Sequence, residues 1–190
     1  MRPLPSTLQN RIKALLHQKN QVLLALDGPC GGGKSTLTEA IAQVFPNALI
    51  IRADDFFLQP HQRMPQRLSE PGGNLDRERL IKQVLKPLVS GGYQGHQRYN
   101  CQTCLLEAVP GASRPLIILE GSYSHHPDLS PFYDLKVFLD IDNALQLSRL
   151  EKRCRPEALA QFINSWIPME NAYFSHFDIR NQADIRLSAR

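Results

Sequence analysis

The 190-residue chain has no apolar run long enough to cross a bilayer. Its longest runs, Val22 to Leu26 and Leu116 to Leu119, fall far short of the about 20 residues a spanning helix needs. Its first twenty residues also lack an apolar stretch of export-signal type, so a cytoplasmic protein without membrane contact is expected. Cysteine is scarce: Cys30, Cys101, Cys104 and Cys154 are too few and too unevenly spaced for a disulfide framework, which favours a reducing compartment. Neither charge sign dominates. Lys and Arg total 22 against 18 Asp and Glu, a net charge of +4 with no dense basic run, so the expected partner is an anionic small molecule rather than nucleic acid. Internal repeats and low-complexity tracts are absent too. With 42% hydrophobic and 21% charged residues, the chain reads as one folded domain over residues 1–190, and homo-oligomerisation is left open.

What is present is an alternation of short apolar runs and amphipathic segments. From Ser6, Leu8, Ile12, Leu15 and Leu16 recur at helical spacing behind a Ser or Thr cap, which predicts a helix on the sheet edge. Val22–Leu26 then reads as a central strand, Ser35–Phe45 as a helix, and Ala48–Arg52 as a second buried strand. A polar, proline-rich stretch at Gln59–Asn74 precedes a helical pattern from Asp76 to Val89 that stops at Ser90-Gly91-Gly92. Strands are predicted at 116–119, 137–141 and 184–187, and helices at 144–153 and 157–174. This order implies an α/β fold, a doubly wound, mostly parallel sheet of about five strands flanked by helices, whose ligand site lies beyond the carboxyl ends of the strands.

Directly after the first strand stands Gly28-Pro29-Cys30-Gly31-Gly32-Gly33-Lys34-Ser35, a full match to the phosphate-binding G-x-x-x-x-G-K-[ST] loop in its strand–loop–helix setting. Gly28, Gly31, Gly32 and Gly33 let the backbone curl with its N–H groups inward, and the helix beginning near Lys34 adds its positive dipole end. Lys34 is expected to reach the β- and γ-phosphates of ATP, Ser35 to ligate Mg²⁺, and Thr36 to add a hydroxyl on the α-phosphate side. Carboxylates at the ends of neighbouring strands, Asp54 and Asp55 after the second and Glu120 after the third, are candidates for holding Mg²⁺ or taking a proton from an attacking hydroxyl. Cys30 is read as a small filler inside the loop.

These residues resemble the uridine kinase family with its phosphoribulokinase relatives. The likeness rests on GPCGGGKS, ADDFF, EPGGNLDRERL, ILEGSYS and DLKVFLDID followed by arginines. It implies a P-loop kinase with Asp54 as catalytic base and a sugar-holding acidic segment at Glu70-Pro71 with Asp76. It further implies a substrate loop at about 56–76 and a short helical lid at about 149–157 that carries Arg149, Arg153 and Arg155. Arg149 and Arg153, four residues apart, would share one helix face and clamp phosphate together.

Aromatic candidates for stacking on an acceptor are Phe57, Tyr99 and Tyr123, with Phe56 beside them and His96, His125 and His126 undecided. EPGGNLD and HQRYNCQTC stand where the family carries its sugar-binding acid and a histidine-bearing hairpin. Cys101 and Cys104 have metal-ligand spacing without a second pair. The expected activity is transfer of the ATP γ-phosphoryl group to a small-molecule hydroxyl, most simply of a uridine- or cytidine-like nucleoside. Pantothenate, glycerate or a sugar phosphate as acceptor, and a non-kinase P-loop ATPase, remain the alternatives. LVSGGYQ, which looks like an ABC-type ATPase signature, is better explained as a glycine turn ending a helix.

Overall fold

Short Leu-, Ile- and Val-rich runs separated by helices build a five-stranded sheet in the computed structural model, which describes residues 3–189. In chain order the helices and strands are α1 (Ser6–Gln18), β1 (Val22–Asp27), α2 (Lys34–Val44), β2 (Leu49–Arg52), α3 (Pro65–Ser69), α4 (Arg77–Leu80) and α5 (Lys86–Val89). There follow β3 (Gly95–Asn100), β4 (Leu105–Pro110), β5 (Leu116–Glu120), β6 (Leu135–Asp140), α6 (Asn143–Arg153), α7 (Pro156–Gln161), α8 (Ile167–His176) and β7 (Ile185–Ser188). The sheet order is β2-β5-β1-β6-β7, parallel throughout, with Val22 opposite Leu116 and Asp27 opposite Phe138. The doubly wound α/β architecture expected from the sequence is the one observed. Strand order reverses around β1, so the crevice above its carboxyl end lies at the switch point of the sheet.

Both faces of the central strands are covered, which is why β1 and β5 are apolar without alternation. Leu23, Ile117 and Leu119 pack with Phe56, Tyr173 and Phe174 on one side, whereas Leu24, Leu26 and Ile118 pack with Ile12 and Ile41 on the other. Helix α1 belongs to that second layer. It lies over the sheet face rather than the edge, and Pro5 stands at its N-cap with no side-chain cap bond, so the expected Ser or Thr cap is absent. Burial of Leu8, Ile12 and Leu15, worth about 2 kcal/mol each, outweighs the roughly 1 kcal/mol a cap would add.

Two further differences have local causes. Strand β2 pairs only with β5 and is the sheet edge, so of its four residues only Ile51 is fully enclosed. The antiparallel hairpin β3–β4, register Gly95↔Pro110 to Asn100↔Leu105, is made of polar and weakly alternating residues that carry no strand signal. Helix α4 runs into α5 through a π turn at Ile81–Leu85, and α7 into α8 through another at Phe162–Trp166. Pro87 and Pro168 each stand two residues beyond such a turn, and the wider turn accommodates the missing proline N–H and the ring. After α5, Gly91 adopts φ +74° with its N–H on the Leu88 carbonyl, the glycine stop expected at LVSGG.

Candidate active site

The phosphate loop emerges from β1 at Asp27, a fully buried carboxylate bonded by three donors: the Gly28 N–H (2.7 Å), the His125 N–H (2.9 Å) and the Tyr173 hydroxyl (2.9 Å). Gly28 has φ +149°, and a Cβ there would stand 2.3 Å from the Leu139 carbonyl oxygen, so only glycine lets the loop leave the strand. Gly33, at φ +95°, turns the chain into α2, whose first residue is Lys34. The Lys34 ammonium stands at the mouth of the resulting loop on the Gly28 and Pro29 carbonyls (2.6 and 3.1 Å). Cys30 sits inside the loop, its thiol pushed up to about 12 by burial and by Glu170, which suits an inert filler.

Two helices distant in sequence grip this loop. From α6, Gln146 donates to the Cys30 carbonyl (2.8 Å), and Arg149 donates to the Gly31 and Gly32 carbonyls (3.1 Å each). From α8, Glu170 accepts the Cys30 N–H at 2.8 Å and the Ser122 hydroxyl at 2.5 Å, and Ser122 in turn accepts from Lys34 at 3.3 Å. Glu170 and Tyr173 are three residues apart on one helix face and hold the two ends of the Gly28–Cys30 entry, Tyr173 through Asp27. Sequence reasoning missed Asp27, Ser122, Gln146, Glu170 and Tyr173; a buried acid closing β1 was the one local signal available.

A cavity of about 1020 Å³ opens over the loop. It brings together Gly31 to Thr36, Asp54, Phe57, Tyr99, Glu120 and Tyr123, with Arg149 and Arg153 of α6. Glu120 meets the Ser35 hydroxyl at 3.4 Å, and burial holds its carboxyl above the ordinary range, partly offset by Lys34. Asp54 opens onto the cavity, yet surrounding protein raises its carboxyl too; Lys34 opposes the rise and Asp55 adds to it. Among the described residues no group of three His, Cys, Asp or Glu side chains forms a metal cage. A hydroxyl and a single nearby carboxylate suit Mg²⁺ that keeps most of its waters and phosphate oxygens.

Several other sequence candidates lie apart from the cavity. Asp55 bonds His96 Nε2 (3.1 Å), whose Nδ1 meets the Tyr93 hydroxyl (2.9 Å), so Asp55 faces the hairpin. Asp76 caps α4 through the Arg79 N–H (3.0 Å) and also holds Gln62 and the Arg79 side chain. Glu70 pairs with Arg67 and Arg77. Phe56 is buried under the Arg79 guanidinium, and His125 and His126 are buried in the core. Arg153 lies over the Phe162 ring at 5.8 Å, while Arg155 is exposed and outside the cavity lining. Tyr123 is 2% exposed, at φ +71°, with a hydroxyl that has no partner and is held protonated by burial and by Glu170.

The chain has relatives among known proteins. No family profile matches it. It is 28% identical over 150 residues to the uridine kinase of Streptococcus pyogenes serotype M5 (strain Manfredo), spanning 71% of this chain and 69% of that one. A solved structure described as a possible uridine kinase from Bacillus stearothermophilus superposes with a TM-score of 0.67 at 20% identity, over 95% of this chain and 99% of the other. D-glycerate 3-kinase from Cryptococcus neoformans superposes with a TM-score of 0.57 at 15% identity, over 87% of each chain.

Proposed function

We propose that this chain, a uridine kinase-like P-loop kinase, transfers the γ-phosphoryl group of MgATP to a hydroxyl of a uridine- or cytidine-like nucleoside. The observation that carries the reading is the shared cavity, in which Asp54 lines the same space as Lys34, Ser35 and Glu120. The nest Gly28–Thr36 receives the triphosphate, and Lys34, Arg149 and Arg153 supply positive charge to the transferring group. Mg²⁺, held by Ser35 and Glu120, would offset phosphate charge. Asp54 orients the acceptor hydroxyl and takes its proton. Phe57, Tyr99 and Tyr123 line the acceptor side of the cavity, and the half-buried Phe57 offers a ring to a base. The Streptococcus pyogenes uridine kinase supports this acceptor class by likeness.

A second reading, a non-nucleoside acceptor bearing an anionic group, is favoured by a specific observation. Glu70 and Asp76, the acids implied for holding a sugar, are engaged by Arg67, Arg77, Arg79 and Gln62 and do not line the cavity, whereas Arg63 does. The test is ADP release from MgATP with nucleosides, pantothenate, glycerate and sugar phosphates, beside a no-acceptor control and Lys34→Ala. Stimulation by uridine or cytidine supports the first reading and stimulation by an anionic acceptor the second. Turnover indifferent to every acceptor overturns both.

A further inference from the structure

The hairpin β3–β4 ends in a turn at 101–104 that none of the chemistry above uses. Cys101 and Cys104 flank this turn, both are free thiols, both are exposed, and both line the cavity on the side of Asp54, Arg63 and Tyr99. The turn is tied at several points. The Cys104 N–H donates to the Asn100 carbonyl (2.8 Å), the Gln102 N–H donates to Asn100 Oδ1 (2.9 Å), and Asn100 Nδ2 is anchored on Glu107 (2.6 Å). Residues three apart in such a turn lie under about 7 Å Cα to Cα, within the span a disulfide bridges. A metal site would need further ligands. His96, at the far end of β3 from the turn, is already bonded at both nitrogens, and no third ligand joins the pair among the described residues.

We propose that Cys101 and Cys104 are a reversible thiol–disulfide pair, oxidised by a low-molecular-weight disulfide, that sets the affinity of the acceptor half of the cavity; the second clause rests on the kinase reading above. The thiolate of one cysteine attacks a sulfur of the small disulfide and expels one small thiolate. The other cysteine's thiolate attacks the protein sulfur of the mixed disulfide and expels the second. The pair loses two protons and two electrons, and one small disulfide becomes two thiols. Exchange quickens as the solution becomes alkaline, because the thiolate is the attacking form. Tyr99 lines the cavity together with both cysteines, so a bridge between them reshapes the wall that this acceptor-side ring shares with the turn.

The experiment incubates the full chain at pH 8 in glutathione buffers of increasing oxidised fraction. It reads intact mass, maps peptides, and measures the KM for ATP and for whichever acceptor the kinase assay identifies. The wild-type peptide bearing both cysteines should lose two hydrogens, about 2 Da. Cys101→Ser and Cys104→Ser should each stop at one glutathione adduct. The acceptor KM should rise about fivefold, the loss expected for one neutral hydrogen bond. Reductant should reverse the rise, the ATP KM should not move, and the double serine variant should not respond to the oxidant. Thiols that persist in oxidised buffer overturn the pair, and a disulfide that leaves the acceptor KM unchanged overturns its control of that site. Mass is read without catalysis, so if the reduced protein turns over no acceptor, the kinase reading falls while the disulfide is still decided.

Discussion

At the scale of single residues, the proposed chemistry divides between a cation that meets phosphate and an acid that meets the acceptor. Lys34→Ala should abolish phosphoryl transfer and weaken nucleotide binding. Asp54→Asn should abolish transfer while ATP binding, measured by calorimetry, stays near wild type. Because the surrounding protein, opposed by Lys34, raises the Asp54 carboxyl above its ordinary value, the acid limb of the kcat/KM–pH profile should lie above that of an unperturbed aspartate, with activity rising as Asp54 ionises. A second titration acts on stability. His126 stacks on Tyr173, accepts the Asp128 N–H at Nδ1, and is lowered by burial and by Arg77 to about 4. Its folded form stays neutral where the unfolded chain, with a pKa near 6.5, takes up a proton. The stabilisation is therefore complete above about 6.5 and is lost as pH falls towards 4. Chemical denaturation should show about 2 kcal/mol less stability at pH 5 than at pH 7 from this group, and His126→Phe should flatten that slope.

At the scale of elements, the loop GPCGGGKS is legible in the sequence because its glycines answer a local backbone requirement, and Asp54 is legible because it follows a strand. What could not be read depends on partners far along the chain. Glu170 is 140 positions from Cys30, and nothing near either residue announces the bond at 2.8 Å. Asp55, Glu70 and Asp76 have the same chemistry in the sequence as Asp54, and only the placement of His96, Arg77 and Gln62 beside them shows that they are already engaged. Strand β2 spells an apolar run as β5 does, although it stands at the edge. The grip of α8 on the loop is open to test. Glu170→Gln should raise the KM for ATP about tenfold, the loss expected for a charge-assisted bond. Tyr173→Phe should cost about 2 kcal/mol in urea unfolding by removing a donor from the buried Asp27 carboxylate.

For the molecule as a whole, the fold follows from covering both sheet faces, and the cavity follows from the reversal of strand order around β1. Ligand binding at the switch point should stabilise the entire domain, since the loop joins β1, α2, α6 and α8. MgATP at a hundred times its dissociation constant should add about 2.7 kcal/mol to unfolding, seen as a raised Tm that Lys34→Ala does not show. The π turn at Phe162–Trp166 has one more effect. It contains one residue more than an α-helical turn, and each residue rotates a helix by about 100°, so it sets the azimuth of everything downstream. Deleting one residue there would swing Glu170 and Tyr173 together off the phosphate loop, while Gln146 and Arg149, upstream of the deletion, kept their aim. That phase shift separates the two grips on the loop without replacing a single contacting side chain.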